Sequence, residues 1–252
     1  MHCLLNGGIC ASRNDSTERV RALYPTHRIT LIDVDLLFGL MSSDAWKFWY
    51  AKKEGTVEPE IPRLLELLEK CNASRVLDFG CGTGRHTIYF ARKGFEVYGF
   101  DASDTAIQRT RELLGNENLE ASLKIWDMTQ PLPYQEDFFD AVLALRVVHH
   151  TYARNIELIA GEIDRVSKSG GYLFLQVSAH YRSEPFPDKR EDHRFREVEP
   201  RTFVPLEGEE KGIPHHEFTR KELSKLFGNY RFIDIHHSTE HYPGWCLIAR
   251  KR

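Results

Sequence analysis

The segment V-L-D-F-G-C-G-T-G, residues 76–84, constrains the fold of this chain more strongly than any other part of the sequence. Its apolar beginning predicts a buried strand over residues 75–79, and its three alternating glycines predict a turn where a side chain would block the close approach of a ligand. The residues behind the turn have the pattern of a helix start. A strand, a glycine turn and a helix N-terminus together form a nucleotide-binding βα unit.

The spacing of the glycines narrows the choice of nucleotide. The dinucleotide fingerprint G-x-G-x-x-G would need a third glycine where this chain has Arg85, so a nicotinamide dehydrogenase is disfavoured. The glycines here run G-x-G-x-G, and an acid, Asp101, ends the next apolar run, E-V-Y-G-F-D. A carboxylate at the tip of a strand can accept hydrogen bonds from two hydroxyl groups at once, so Asp101 is suited to binding a ribose.

Helical and strand periods alternate through most of the chain. The predicted helices are 61–68, 85–93, 103–114 and 156–166, and the predicted strands are 75–79, 96–100, 123–126, 138–148 and 172–177. Strands separated by helices indicate a parallel, doubly wound sheet. Near the C-terminus, Thr219 and Glu222 form a capping box before a short helix. Two strands at about 231–236 and 245–250 are expected to be antiparallel, because the link between them is short.

These motifs closely resemble those of the class I S-adenosylmethionine-dependent methyltransferases. The resemblance is good over residues 57–178 and moderate over the last two strands. The resemblance implies S-adenosyl-L-methionine as the cofactor. It also implies an α/β fold with a Rossmann-like, seven-stranded sheet in the order 3-2-1-4-5-7-6, the seventh strand being antiparallel. We expect one methyltransferase domain at residues 41–252, after a poorly defined extension, residues 1–40. Our hypothesis is that translation starts at Met41; the alternative is that the extension packs on the domain.

The resemblance further implies which residues bind the cofactor. In this family the glycine turn runs under the methionine end, and the acid after the second strand binds both ribose hydroxyl groups. An acid and an apolar residue after the third strand lie against adenine, and residues just after the fourth strand line the methionine side. The cofactor-binding candidates are therefore Asp78, Gly80, Cys81, Gly82, Gly84, Asp101, Ala102, Asp127, Met128, Leu145 and Arg146.

Several candidates have simpler explanations that the sequence leaves open. Asp127 can be a strand-end acid that starts a turn, Arg146 can be a partner in a structural ion pair, and Cys81 can be present for its small size. Family members often cover the cofactor with an aromatic N-terminal segment. Three aromatic residues of the segment W-K-F-W-Y are candidates for this role: Trp46, Trp49 and Tyr50. Their rings could attract the sulfonium cation, and the alternative is that they pack in the core.

Histidine is abundant, at 12 residues, and three pairs of adjacent histidines begin at positions 149, 215 and 236. No metal site is predicted, because neighbours in an extended strand point to opposite faces and no H-E-x-x-H spacing occurs. His149 and His180, expected at the carboxyl edge of the sheet, are candidates for a general base. A structural role is the alternative for each.

A long insertion, residues 181–218, separates the fifth strand from the last helix. It is rich in proline, glycine and charged residues, which is typical of loops that form functional lids or lack order. Its position above the catalytic edge favours a lid over the substrate. The lid candidates for substrate contact are Arg194, Arg196, Arg201, His215 and His216.

The overall composition limits the partners and the compartment. The 252 residues are 41% hydrophobic and carry a net charge of -3, which gives no global attraction to nucleic acid or to an anionic membrane. A local basic face is compatible with that charge. Five scattered cysteines without a C-x-x-C pair favour the cytoplasm, as does the lack of a membrane-length apolar run or a signal peptide.

The expected activity is methyl transfer to a small-molecule acceptor by direct in-line displacement, with the enzyme supplying mainly alignment and a general base. The alternatives are an RNA or protein methyltransferase, and a regulator that binds S-adenosylmethionine without catalysis. A macromolecular acceptor would need a basic or aromatic platform, and only the short A-R-K-R tail and the lid arginines hint at one. The sequence does not predict the oligomeric state.

Overall fold

The computed structural model of the protein describes residues 56–180, 194–208, 210–238 and 244–252. The predicted extension (residues 1–40), the predicted domain start at residue 41 and the aromatic segment 46–50 lie outside these residues. Residues 181–193 of the lid insertion lie outside them as well. The predicted domain boundary therefore stays a prediction.

Helices and strands alternate along the described residues, as the sequence pattern predicts. The helices are α1 (Ile61–Lys70), α2 (Arg85–Arg92), α3 (Asp104–Asn116), α4 (Ala153–Val166) and α5 (Arg220–Leu226). The strands are β1 (Arg75–Phe79), β2 (Glu96–Asp101), β3 (Ser122–Ile125), β4 (Phe139–Leu145), β5 (Ser167–Ser178), β6 (Phe195–Glu199), β7 (Thr202–Pro205), β8 (His215–His216), β9 (Tyr230–Ser238) and β10 (Gly244–Lys251). None of these helices is long and apolar enough to cross a lipid bilayer.

Seven strands form the main sheet, in the order β3-β2-β1-β4-β5-β10-β9. The first five run parallel, whereas β10 is antiparallel to both of its neighbours, with Leu247 opposite Leu175 of β5 and Ile235 of β9. When only the strands of this sheet are counted, the order is 3-2-1-4-5-7-6 with an antiparallel seventh strand. The predicted fold class, a doubly wound, Rossmann-like α/β sheet, is confirmed.

Helices cover both faces of this sheet. On one face, α4 and α5 bury apolar residues such as Ile159 and Leu223. On the other face, α1, α2 and α3 bury residues such as Leu64 and Phe90. Each fully buried side chain of this kind contributes roughly 1.5–3 kcal/mol, so a parallel strand needs apolar residues toward both faces. Because five strands are parallel, their carboxyl ends share one edge, and the predicted site residues lie along it.

Two predicted helix caps are present. The Ser103 hydroxyl accepts a hydrogen bond from N of Ala106 at 3.2 Å, where α3 begins. Where α5 begins, Oγ1 of Thr219 accepts from N of Glu222 at 3.2 Å, and the Glu222 carboxylate accepts from N of Thr219 at 3.5 Å. A cap of this type is worth about 1 kcal/mol and fixes the residue at which the helix begins.

Two strand boundaries differ from the prediction by three residues or more. β4 ends at Leu145 rather than at residue 148, because Arg146 has a left-handed backbone conformation with φ of 60°. β5 begins at Ser167, directly after α4, rather than at residue 172. Ser167 pairs with Phe139 of β4, and the register shifts before the regular pairing resumes. The S-K-S-G-G segment therefore ends the helix as predicted but belongs to the strand.

The described part of the lid insertion is more regular than predicted. β6, β7 and β8 form a second, antiparallel sheet in that order, which we call the lid sheet. The sequence pattern does not predict this sheet, because β8 has only two residues. In addition, its contacts join residues that are distant in the sequence, such as His216 and Thr202, which are 14 residues apart. Proline, glycine and charged residues in the connections mask the short strands.

Candidate active site

The glycine turn after β1 has backbone angles that favour glycine. Gly80 and Gly84 have φ of 69° and 81°. A Cβ atom on Gly80 would lie 2.4 Å from Cγ2 of Val147, and one on Gly84 would lie 2.3 Å from Cγ2 of Thr110. At these two positions the packing of the protein itself requires glycine, whereas the sequence analysis attributed the requirement to a ligand. The turn is thereby held against the end of β4 and against α3.

The carboxylate of Asp101 is fixed at the edge of this turn. Oδ2 accepts a hydrogen bond from N of Gly82 at 2.9 Å, and Oδ1 accepts one from N of Ser103 at 2.9 Å. The side chain is 6% exposed. A carboxylate oxygen has two lone pairs, so each can accept a further hydrogen bond from a ligand hydroxyl. This predicted ribose-binding residue thus has a defined orientation.

Two other residues of the first motif are buried within it. Oδ2 of Asp78 accepts hydrogen bonds from N (3.0 Å) and Oγ1 (2.7 Å) of Thr87, which ties β1 to α2. Burial raises the pKa of Asp78 to about 6, although the Thr87 hydrogen bonds oppose the shift. Burial and the carboxylates of Asp78 and Asp101 raise the pKa of the Cys81 thiol well above its ordinary value, so Cys81 is a poor nucleophile.

An ion-pair cluster lies between the glycine turn and the end of β4. Oε1 of Glu58, a residue that is 4% exposed, is 2.6 Å from Nη2 of Arg146 and 3.0 Å from Nη2 of Arg85. Arg146 is therefore an ion-pair partner, as one of its two explanations had it, and Arg85 shares the same carboxylate. Sequence analysis missed Glu58, because Arg146 lies 88 residues away along the chain. Two guanidinium groups thus meet one buried carboxylate, and the charge of Arg85 also acts on the carboxyl group of Asp78.

The remaining cofactor candidates lie where β2, β3 and β4 end. Oδ1 of Asp127 accepts hydrogen bonds from N (2.8 Å) and Oγ1 (2.9 Å) of Thr129, so this acid starts a turn, as its simpler explanation had it. Met128 packs against the core, Leu145 is buried and Ala102 is exposed. Their contacts with a cofactor stay predictions.

Three histidine rings meet just beyond β4. His149 and His150 lie in a turn closed by a hydrogen bond from N of His150 to O of Val147 at 2.9 Å, with ring centroids 4.0 Å apart. The ring of His215 is 4.8 Å from that of His150 and 6.0 Å from that of His149. His149 and His150 therefore do not have the extended conformation from which the absence of a metal site was predicted. Burial lowers the pKa of His149 and His150 well below the ordinary value, and that of His215 to about 4.

His180, the second predicted base, is paired with a carboxylate. Its Nδ1 is 2.9 Å from Oε2 of Glu217, and the two side chains are 18% and 9% exposed. N of His180 also donates a hydrogen bond to O of Phe218 at 2.9 Å, which fixes the backbone of the pair. A carboxylate at Nδ1 orients an imidazole and favours the tautomer that has its lone pair on Nε2.

Two of the five lid candidates fasten the lid sheet to α5. The two ring nitrogens of His216 contact Oγ1 of Thr202 (2.8 Å) and Oε1 of Glu222 (3.1 Å). Nη2 of Arg201 donates a hydrogen bond to Oε2 of the same glutamate at 2.8 Å. His216 is fully buried, and Arg201 is half-buried. These contacts give both residues a structural role.

The other three lid candidates have different surroundings. Arg194 and Arg196 are exposed, and Nε of Arg194 is 3.6 Å from Oε1 of Glu207. His215 is the lid candidate whose ring joins the group beyond β4 among the described residues. Its neighbours could not be foreseen from the sequence, because they belong to a different part of the chain.

The fold and the site together define a nucleotide-binding α/β protein with an acid at the tip of β2. Comparison with known proteins is more specific. A family described as a methyltransferase domain matches residues 77–175, which run from β1 into β5. An uncharacterized methyltransferase of Synechocystis sp. is 32% identical over 116 residues, which are 46% of this chain and 52% of the relative. Residues 77–175 of this chain are therefore similar to a methyltransferase domain, and the other residues lie outside that match.

Solved structures share the same fold. An S-adenosylmethionine-dependent methyltransferase from Methanosarcina mazei matches with a TM-score of 0.65 and 24% identity, over 78% of this chain and 99% of that one. The 1,6-didemethyltoxoflavin-N1-methyltransferase of Burkholderia thailandensis, solved with its substrate and S-adenosylhomocysteine, matches with a TM-score of 0.56 and 17% identity, over 98% and 93%. The chain spans only 28% to 52% of the length of the first curated relatives that it matches.

Proposed function

We propose that the protein transfers the methyl group of S-adenosyl-L-methionine to a small-molecule acceptor by direct in-line displacement. The observation that carries the proposal is the fixed carboxylate of Asp101. Its two oxygens are held by backbone N–H groups of the glycine turn and of the α3 cap, and this orients them for the two ribose hydroxyl groups of the cofactor.

The methionine end of the cofactor fits the ion-pair cluster of Glu58, Arg85 and Arg146. The guanidinium groups of the cluster suit the cofactor carboxylate, and Glu58 suits its ammonium group. The sulfonium would then lie near the end of β4. Arg85, which replaces the third glycine of the dinucleotide fingerprint, would then bind the methionine end of this cofactor.

The methyl transfer requires few catalytic groups from the protein. The acceptor atom attacks the methyl carbon, the bond from that carbon to sulfur breaks, and the sulfonium charge is lost. Alignment of the two reactants can supply roughly 7–11 kcal/mol of the barrier. What remains is a base for the acceptor proton.

We propose His180 for that base, in preference to His149. The carboxylate of Glu217 contacts Nδ1 of His180 and orients the ring, and this contact favours the tautomer in which Nε2 carries the lone pair. Burial lowers the pKa of His149 well below its ordinary value, which makes that ring a weak base.

A small acceptor is favoured by the lid sheet and by one structural neighbour. His216 and Arg201 fasten the lid sheet to α5, which follows the carboxyl end of β5 in the sequence and packs on the main sheet. The neighbour from Burkholderia thailandensis, which has the same fold, binds the small molecule 1,6-didemethyltoxoflavin. A lid sheet fastened to the turn after β4 favours a small compound over an RNA or a protein.

A product assay tests the proposed activity. The full chain is incubated with S-adenosylmethionine and a panel of hydroxyl, amine and thiol compounds, and S-adenosylhomocysteine is measured by mass spectrometry. We expect product that depends on an acceptor and is lost in Asp101→Ala. If S-adenosylhomocysteine forms only when RNA or protein fractions are added, the acceptor is a macromolecule. Binding without product in any reaction would favour the non-catalytic regulator, and no binding would overturn the cofactor assignment.

The two candidate bases are separated by matched variants. His180→Gln should lower kcat by roughly 100-fold or more while leaving the affinity for S-adenosylmethionine unchanged. A larger loss in His149→Gln, with His180→Gln close to wild type, would contradict the assignment.

A further inference from the structure

The proposed function assigns no role to the three histidine rings beyond β4. We propose that His149, His150 and His215 form a binding site for one divalent transition-metal ion, with zinc as the ion that best fits their chemistry. The claim concerns metal binding and stands independently of the methyltransferase activity.

The geometry of the three rings suits a shared ion. One nitrogen from each ring lies within 4.8 Å of the other two. Nitrogen ligands around a tetrahedral zinc ion are about 3.3 Å apart, because Zn–N bonds are about 2.0–2.1 Å long. Rotation of the rings toward their common centre, by about 1 Å for each nitrogen, would close this difference.

The backbone brings the rings together from two separate parts of the chain. The turn that carries His149 and His150 is closed by a hydrogen bond from N of His150 to O of Val147 at 2.9 Å. N of His216 donates a hydrogen bond to O of His149 at 2.8 Å, which fastens β8 to this turn. His215, the other residue of β8, is thereby held beside the histidine pair. A metal ion bound to all three would link the lid sheet to the end of β4.

The surroundings of His215 point to a cation. Its Nε2 is buried and has no hydrogen-bond partner among the described residues, although Oε2 of Glu210 is 3.4 Å away. A buried nitrogen without a hydrogen bond costs about 1–3 kcal/mol, which a metal–ligand bond would offset. The Glu210 carboxylate also places a negative charge next to the group. The tilted contact between the His149 and His150 rings does not involve this nitrogen.

The ligand set selects the type of metal. Imidazole nitrogens suit zinc, cobalt, nickel and copper, whereas magnesium and calcium prefer oxygen ligands. Three protein ligands leave one tetrahedral position open, as in catalytic zinc sites. An acceptor hydroxyl or thiol in that position would have a lowered pKa. This last consequence rests on the proposed function, whereas the binding site does not.

Metal binding can be measured on the full chain without S-adenosylmethionine. After bound metal has been removed with a chelator, a zinc titration by calorimetry and elemental analysis should give one ion per chain. His215→Ala and His150→Ala should each weaken zinc binding by roughly 100-fold or more. The control is His236→Ala, because His236 belongs to a separate group, with Glu60 and Cys246, whose ligand atoms also lie within 4.8 Å of one another.

Each outcome decides the proposal. No zinc binding to the wild type, or unchanged affinity in folded His215→Ala, would overturn it. A loss caused by His236→Ala alone would assign the metal to the other group and would also overturn it. If the variants do not fold, X-ray absorption of the cobalt-loaded wild type counts the imidazole ligands: three support the site, and two or fewer contradict it. Calorimetry with S-adenosylhomocysteine, run separately, reports on the cofactor site alone.

Discussion

The side of the carboxyl edge proposed for the cofactor and the side proposed for the acceptor are built from different kinds of contact. On the proposed cofactor side, apart from the ion pairs of Glu58, carboxylates bind backbone N–H groups within 19 residues of them in the sequence. Asp101 binds N of Gly82 and N of Ser103, which are 19 and 2 residues away. Asp78 binds N of Thr87, 9 residues away. Such contacts depend on the path of the backbone, and the backbone path depends on glycine.

On the acceptor side, side chains bind other side chains that lie farther along the chain. His180 pairs with Glu217 across 37 residues, and Arg201 pairs with Glu222 across 21 residues. Another pair of complementary side chains could make an equivalent contact. The difference explains why the cofactor can be inferred from a short motif, whereas the acceptor has no comparable motif.

The largest effect should come from changing the backbone on the cofactor side. Gly80→Ala places a Cβ 2.4 Å from Cγ2 of Val147 at a φ of 69°. Overpacking and a left-handed backbone together should lower the free energy of unfolding by about 3 kcal/mol. Urea unfolding measures this loss.

The matched control is Gly115→Ala, in α3, where an added Cβ meets nothing within 4 Å. It should stabilise the protein by about 0.5–1 kcal/mol, because alanine favours a helix. Equal effects at the two positions would break the claim that the glycine turn is held by close packing.

The ion-pair cluster should show the next largest effect. Glu58→Gln leaves Arg85 and Arg146 without their shared carboxylate, so the free energy of unfolding should fall by about 2–3 kcal/mol. Glu69→Gln, on the exposed side of α1, should change it by less than about 0.5 kcal/mol. A loss no larger than that of the control would show that the buried glutamate is not the centre of this cluster.

The pH dependence of stability provides a third test of the cofactor side. Burial raises the pKa of Asp78 to about 6, above its ordinary value of 3.8, so the folded state binds this proton more tightly than the unfolded state. Its contribution to stability should therefore fall as pH rises through the window between these values, and stay constant above it. From pH 4 to pH 7 the wild type should lose about 2 kcal/mol relative to Asp78→Asn. If the difference in free energy of unfolding between the two proteins stays constant, or if the wild type gains stability relative to Asp78→Asn as pH rises, the raised pKa is contradicted.

The smallest effect should come from the acceptor side. Glu222→Gln removes the charge that Arg201 and His216 share, while glutamine can still complete the capping box of α5. We expect a loss of about 1 kcal/mol in stability and an unchanged affinity for S-adenosylhomocysteine. The control, Glu157→Gln, removes an exposed pair with Lys225 and should have almost no effect. A marked loss of affinity for S-adenosylhomocysteine in Glu222→Gln would contradict the claim that the two sides are built independently.

The same division sets how much could be predicted from the sequence. β1 has the predicted bounds, because the apolar run ends at a glycine, and the caps at Ser103 and Thr219 are where the local pattern put them. The order of the main sheet followed from the family resemblance and is confirmed. All of these depend on residues near one another in the sequence.

What could not be predicted depends on contacts between distant residues. Glu58 gives no local signal of its partners, and the lid sheet uses strands too short to have a period. The histidine pair at residues 149 and 150 follows a strand that was predicted to continue to residue 148, because the apolar run contains no turn former. The left-handed residue Arg146 ends that strand early, and no sequence rule marks an arginine for such a conformation.

Calorimetry with S-adenosylhomocysteine on Asp101→Ala tests the central claim most directly. Asp104→Ala is the matched control, because Asp104 is an exposed acid at the beginning of α3. The account predicts that Kd rises at least about tenfold for Asp101→Ala, the loss of one charge-assisted contact, and stays at the wild-type value for the control. A folded Asp101→Ala protein that binds with wild-type affinity would contradict it.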